Sequence, residues 1–207
     1  EYAHALAAQR RGAPRDDVLS LLMQAEVDGD KLSYSEFGTL FFLLLGAGSD
    51  TTRNLILNGM VTLLEHPEQR ARLVADPSLI PGAVEEMLRF CPSIIHFRRT
   101  ATRDTEIRGQ RIAAGDKVVL WYVSANRDED VFESPHVFDI GRKPNNHIAF
   151  GYGPHFCIGN LLARIEARVA FEELLRRLPD MELAGPVVRL QSNWLNGVKR
   201  MPLRFKR

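Results

Sequence analysis

The sequence predicts a mainly α-helical fold with small β-sheets, organised on one long central helix. Three observations carry that prediction. A helical pattern runs without a proline from Tyr34 to Glu65, and at ~1.5 Å per residue it would span roughly 45 Å, the width of a domain. Strand-like runs are confined to His96–Tyr122 and to the stretch from Met181 to Phe205, each bounded by turn residues. An amphipathic segment from Leu161 to about Leu178 follows a loop whose glycines and proline exclude regular structure.

At 207 residues and 45% hydrophobic content, the chain can form one large or two small domains with real cores. The net charge is +1, from 27 basic and 26 acidic residues, so it lacks the global field of a nucleic-acid binder. Cys91 and Cys157 are too few for a disulfide framework, which fits a reducing cytoplasm. The apolar run Leu40–Leu45 is far short of the ~18 residues that a membrane helix requires. Glu1 begins inside a helical pattern with no methionine, cap or signal sequence, so the chain is expected to start within a domain, with room for a targeting segment upstream. No internal repeat or low-complexity tract occurs.

Residues 1 to 11 read as the end of a helix, closed by Arg10-Arg11-Gly12. A second helix is expected from about Pro14 to Glu26, with Val18, Leu21, Leu22 and Ala25 on its inner face and Pro14 in its first turn. Asp28-Gly29 makes a turn. Ser33 and Glu36 form a capping-box pattern ahead of the long helix, which Pro67 stops and which is expected to be buried. Its middle, Gly46-Ala47-Gly48-Ser49-Asp50-Thr51-Thr52, sets poor helix formers and an acid beside a run of Phe and Leu. Such a conflict marks either a functional site or a helix crossing where small residues permit close approach. A short helix follows from Pro67 to about Val74, then one from about Pro81 to Phe90. The latter carries Glu86 and Arg89, three apart on one face and able to pair. Strands are expected at His96–Thr102, at Glu106–Ile112 broken by Gly109, and at Lys117–Tyr122 after an Ala-Gly-Asp turn. An irregular segment around Asn126-Arg127-Asp128, Phe132, Pro135 and Phe138 leads to the glycine-rich loop. Asn196-Gly197, between strand-like runs, is a hairpin signal.

The loop reads Phe150-Gly151-Tyr152-Gly153-Pro154-His155-Phe156-Cys157-Ile158-Gly159. A chain that turns this sharply leaves backbone N–H groups able to point at a thiolate, and a cysteine at a helix N-terminus feels the positive end of the helix dipole; both favour the anion, the form that ligates metal. Apart from His155, no second Cys or His lies at zinc-site spacing from this cysteine, and one cysteine cannot make a tetrahedral zinc site. Two readings remain, a small buried residue or the axial ligand of a haem iron.

The whole ten-residue pattern resembles the cysteine-ligand loop of the cytochrome P450 family, Phe-Gly-x-Gly-x-His-x-Cys-x-Gly, at every fixed position. The resemblance implies the C-terminal, haem-binding half of that fold over residues 1–207, a portion of a single domain about twice as long. It implies haem b (iron protoporphyrin IX) with the Cys157 thiolate as axial ligand, and Phe150, Gly151, His155 and Gly159 in its cradle. The Ala47-Gly48-x-Asp50-Thr51 segment resembles the family's oxygen-binding helix. Ala47 and Gly48 would leave room for dioxygen and substrate, and Asp50 and Thr51 would relay protons during catalysis. Glu86 and Arg89 match the family's Glu-x-x-Arg, buried and joined by an arginine whose place Arg142 takes; these three would be structural. Arg99 resembles the arginine aimed at a haem propionate, with His155 as a second propionate partner. Ile94, Ile95 and Phe97 would line the substrate pocket, as would Trp194 and Leu195 near the tip of a terminal hairpin. His96 is assigned no chemistry.

The function implied is that of a cytoplasmic haem-thiolate monooxygenase, inserting one atom of dioxygen into an apolar terpenoid, steroid or fatty acyl-like substrate. Electrons would come from a ferredoxin-type donor with its reductase, since no flavin or nicotinamide fingerprint is present. One alternative is a peroxide-dependent peroxygenase, against which Asp50-Thr51 argues. Another is an inactive fragment, or a non-catalytic haem or partner-binding module, whose uncovered apolar face would favour oligomers.

Overall fold

The computed structural model describes residues 1–205, which divide into two compact units meeting between Asp50 and Thr51. The first holds helices α1 (Tyr2–Gly12) and α2 (Val18–Gln24), a hairpin of β1 (Glu26–Val27) and β2 (Asp30–Lys31), and the beginning of α3 (Tyr34–Glu65). Helix α2 starts later than Pro14, because Asp17 caps it by accepting from the Ser20 N–H at 2.8 Å and is itself held by Arg10 at 2.6 Å. That cap turns Ser20 inward and leaves Val18 and Leu21 exposed, contrary to the expected inner face. Glu26 lies in a strand rather than the helix, since Asp28 and Gly29 adopt positive φ and reverse the chain.

The bounds of α3 match the sequence expectation, and the capping box forms as expected: the Ser33 N–H donates to Glu36 at 2.9 Å and the Glu36 N–H to the Ser33 hydroxyl at 3.3 Å. Its burial does not match. Phe37 is buried, but Phe42, Leu43 and Leu45 are exposed. Helix α1 covers only the start of α3, where His4 stacks on Tyr34 at 3.4 Å and Tyr2 meets Phe41 at 6.4 Å.

In the second unit, the continuation of α3 packs with α4 (Pro67–Ala75), α5 (Ile80–Phe90) and α7 (Asn160–Arg177) around Leu55, Met60, Leu63, Leu73, Met87, Phe138 and Phe171. Gly59 sets the closeness of that packing: a Cβ there would lie 2.6 Å from Met87 Sδ and 2.8 Å from Phe171 Cζ. The sheets of the described residues are two-stranded and antiparallel. β3 (His96–Thr100) pairs with β6 (Lys117–Trp121), placing His96 opposite Trp121. β4 (Thr105–Ile107) and β5 (Gln110–Ile112) form a hairpin whose turn, Arg108-Gly109, has both φ values positive, as a tight hairpin requires. A four-residue helix, α6 (Tyr122–Ala125), follows β6, so Tyr122 opens a helix and does not end the strand.

The terminal region pairs β7 (Glu182–Leu183) with β10 (Leu203–Arg204) and β8 (Val188–Arg189) with β9 (Val198–Arg200). A hairpin is present, but Asn196-Gly197 is not its two-residue turn. The connection runs from Leu190 to Gly197, and Asn196 is drawn into tertiary bonds instead, its N–H donating to the Ser93 carbonyl at 2.8 Å. Gly197 is needed for close approach, because a Cβ would meet Leu190 Cβ at 3.0 Å. Among the described residues, no helix is long and apolar enough to cross a membrane.

Candidate functional site

The loop before α7 is shaped by its glycines. Gly151 and Gly153 have φ of +76° and +74°, the region that favours glycine. A Cβ on Gly151 would also lie 3.1 Å from the Tyr122 hydroxyl. Gly153–His155 makes one 3-10 turn, after which the Cys157 N–H returns to the Phe150 carbonyl at 3.0 Å and closes the loop. Cys157 is half-buried immediately before α7, whose N-cap is Gly159. The expected N–H donors to the sulfur are not in place: among the described residues no hydrogen bond to Cys157 Sγ occurs, since the Cys157 N–H is spent on Phe150. The bond that fixes the cysteine runs instead to its carbonyl, which accepts from Asn160 Nδ2 at 2.8 Å.

The buried pair on α5 forms as the resemblance implied. The side chains of Glu86 and Arg89 are fully buried and joined bidentately at 2.7 and 2.8 Å. The remaining Arg89 donors reach the carbonyls of Asn126 (2.9 Å), Pro135 (2.7 Å) and Val137 (3.0 Å), which uses the guanidinium's donor capacity. Arg142 approaches Glu86 to 3.2 Å and ties the carbonyls of Glu133, Ser134 and Val137. Asp139 N–H and Asn145 Nδ2 complete the shell around the Glu86 carboxylate, at 3.0 and 3.1 Å. Glu86 and Arg89 are thus buried with all five Arg89 donors paired, and with the partly buried Arg142 they pin the irregular segment that delivers the cysteine loop.

The five residues expected at the substrate wall also come together. Ile94 and Leu195 form a β-bridge, the Ile95 N–H donates to the Trp194 carbonyl at 2.9 Å, and the rings of Phe97 and Trp194 meet edge-on at 6.1 Å. An amide lock holds this patch to α3. Asn58, buried, donates to the Asn196 carbonyl at 2.7 Å and accepts from Arg189 at 2.9 Å, while Ser93 donates to the Thr51 carbonyl at 2.7 Å. Periodicity gave no sign of the lock; polar residues at the inward positions of an apolar helix were its only trace.

Arg99 lies half-buried on β3, with its guanidinium 5.9 Å from the Phe97 ring centroid. Among the described residues it has no carboxylate partner. Burial pushes the nearby Tyr122 hydroxyl above its usual range, and the Arg99 charge opposes that shift. His155 is exposed on the loop. Ala47, Gly48, Asp50 and Thr51 follow one another along α3; the first three are exposed, Thr51 is half-buried, and a Cβ at Gly48 would meet open space.

Tyr122 was missed in the sequence, and so were Glu85, His147, Asn160 and Arg164, which surround the loop from behind. The second cysteine, Cys91, donates its S–H to the Met87 carbonyl at 3.2 Å, and burial pushes its thiol up to about 11, away from the reactive thiolate form.

The donor chemistry fits haem better than a protein-ligated metal. Among the described residues no cluster of three or more His, Cys, Asp or Glu is positioned to hold an ion, so Cys157 is a lone soft donor. Phe156 beside it in the chain is exposed, and the Phe97 ring, with the Arg99 guanidinium over it, meets Tyr122 at 6.1 Å, whose hydroxyl faces Gly151 of the loop; apolar rings with one cation suit an apolar ring system bearing carboxylates.

A Cytochrome P450 family profile matches residues 4–179. The chain is 50% identical over 204 residues to a methyl-branched lipid omega-hydroxylase of Mycobacterium tuberculosis, covering 98% of this chain and 48% of the relative. It is 44% identical over 207 residues to a steroid C26-monooxygenase of Mycolicibacterium smegmatis, covering 99% and 52%. A Mycobacterium marinum cytochrome P450 solved in complex with pseudoionone superposes with a TM-score of 0.93 at 46% identity, over 98% of this chain and 49% of that one. The chain thus spans about half the length of the relatives it matches. With that profile over most of its length and the cysteine loop, the buried Glu86–Arg89–Arg142 cluster and the α3 motif in order along it, this chain belongs to the cytochrome P450 family.

Proposed function

We propose that residues 1–207 form the C-terminal portion of a haem-thiolate monooxygenase domain acting on a methyl-branched, steroid-like or other apolar lipid substrate. The observation that carries this reading is the cysteine loop: one half-buried thiol, closed by its own backbone and held through its carbonyl. When bound through the thiolate, haem supplies dioxygen activation, with the sulfur donating electron density that favours O–O cleavage.

The chain's own residues would then do the following. Cys157 anchors the iron. Phe150, Gly151, Gly159 and His155 shape the near side of haem b, and Arg99 binds a propionate. Ala47 and Gly48 leave space for dioxygen and substrate, and Asp50 and Thr51 hold and pass protons. Ile94, Ile95, Phe97, Trp194 and Leu195 exclude water and orient the apolar substrate; their convergence into one patch supports that role, as do the lipid and steroid hydroxylases among the relatives. A cytoplasmic ferredoxin-type donor with its reductase would deliver the electrons.

The test is turnover of the full chain with reductant, ¹⁸O-labelled dioxygen and a methyl-branched fatty acid or a steroid. One labelled oxygen per product is expected, and Cys157→Ser should lose that turnover. Retained activity in the serine variant would refute thiolate ligation. Turnover with peroxide but none with electron donors would establish the peroxygenase alternative instead.

A further inference from the structure

We propose that Glu85, Arg164 and His147 form a positioning triad for the Cys157 loop, acting on the cysteine through Asn160; the inference rests on Cys157 being the haem ligand. Glu85 precedes the buried Glu86 on α5, but its carboxylate faces the other way, toward α7 and the loop. Arg164 grips it with two donors, at 2.7 and 3.0 Å. The third edge of the same guanidinium donates to Asn160 Oδ1 at 2.8 Å, and Asn160 Nδ2 donates to the Cys157 carbonyl at 2.8 Å. The plane of Arg164 also covers the Phe150 ring, Cζ lying 4.5 Å from its centroid, and Phe150 supplies the carbonyl that closes the loop on Cys157.

His147 shares one of those carboxylate oxygens, Oε2, with Arg164. Its Nδ1 accepts from the Ala149 N–H at 3.2 Å, so Nε2 carries the proton and donates to Glu85 at 3.0 Å. Its side chain is only 3% exposed. A fixed line of bonds therefore runs from α5 to the backbone of the ligand residue. Each link has one orientation, since a guanidinium fork on a carboxylate fixes direction as well as distance.

The triad also balances charge behind the loop. Glu85 and Arg164 nearly cancel, and removing either leaves a net charge of the opposite sign on the bond chain that ends at the Cys157 carbonyl. Charge and hydrogen bonding around a thiolate ligand set the reduction potential of its iron. Opposite substitutions must then move that potential in opposite directions, which a purely structural role would not do.

The experiment uses the haem-loaded full chain, measuring the ferrous–CO spectrum and the midpoint potential of wild type, Glu85→Gln, Arg164→Gln, Arg164→Lys and the double glutamine variant. Glu85→Gln should raise the potential, Arg164→Gln should lower it, and the double variant should return toward wild type. Arg164→Lys keeps the charge but loses the fork, so its potential should stay near wild type while its red-shifted Soret band converts to the unshifted form severalfold faster. A wild-type chain that never shows the red-shifted band defeats the Cys157 assignment, and the triad with it. Given a normal wild-type spectrum, the triad alone is overturned by glutamine shifts of the same sign or by no shift. An Arg164→Lys variant that matches wild type in band stability also overturns it. If Arg164→Gln does not fold, Glu85→Gln decides the electrostatic half and Arg164→Lys the geometric half.

Discussion

Glu85 shows how a single residue records its surroundings. Burial, the largest influence on its carboxyl, works to raise its pKa from the ordinary 4.5, but the bonds from His147 and Arg164 outweigh it and hold it at about 2. A carboxyl depressed in the folded state contributes stability above its unfolded pKa and loses it as pH falls through the folded one. The contribution should therefore be complete above about pH 4.5 and disappear toward about pH 2. Urea midpoints of Glu85→Gln measured against pH should show a shallower acid limb than wild type; identical limbs would remove Glu85 from the account. Arg89→Ala leaves Glu86 charged, buried and short of its bidentate partner, and should cost about 3–5 kcal/mol, as breaking buried pairs does. Cys91, held as a thiol by burial, should resist iodoacetamide at pH 8 in the folded chain and react once urea opens the core.

At the scale of elements, α3 does two jobs that its sequence mixes together. Around Gly59 it is packed so closely that Gly59→Ala should lose about 1–3 kcal/mol through overpacking against Met87 and Phe171. One residue earlier, Asn58 holds the terminal hairpin against it. Asn58→Leu would leave Arg189 and the Asn196 carbonyl without that partner, at a cost of about 1–3 kcal/mol. It should also loosen Trp194, measured as increased quenching of its fluorescence by acrylamide; unchanged quenching would show that the hairpin stands without the lock. Much of this level was legible beforehand. Caps, prolines and periodicity placed α3, α4, α5 and α7 within a residue or two, because those signals are local. The start of α2, the form of the terminal turn and the Asn58 lock were not legible. In each, a polar side chain chose a tertiary or capping partner over the local propensity, as Asp17 did with Ser20 and the Asn196 amide with the Pro92 carbonyl. The site divides the same way. The ten-residue loop and the Glu86–Arg89–Arg142 set were readable as motifs, while Glu85, His147 and Arg164 are far apart in sequence and meet only in the fold.

For the whole molecule, the telling feature is exposed apolar surface. On α7, Leu161, Leu162, Ile165 and Val169 are largely open, and they recur at the three- and four-residue spacing of one helix face. A continuous apolar face of this kind favours association. Purified residues 1–207 should therefore sediment as concentration-dependent oligomers, and Leu162→Lys with Ile165→Lys should shift them toward monomer. Oligomers that ignore both charges would place the contact elsewhere. The relatives are about twice as long as this chain, so the central question is whether the cysteine loop, with its glycine turns, buried ion cluster and Asn160 bond, suffices to hold haem through sulfur. The ferrous–CO spectrum of this chain after haem addition answers it most directly. A strongly red-shifted Soret band, lost in Cys157→Ser, is the predicted result. A band at the unshifted position would contradict that sufficiency, and a red-shifted band that survives the serine substitution would contradict the assignment of Cys157 as the ligand.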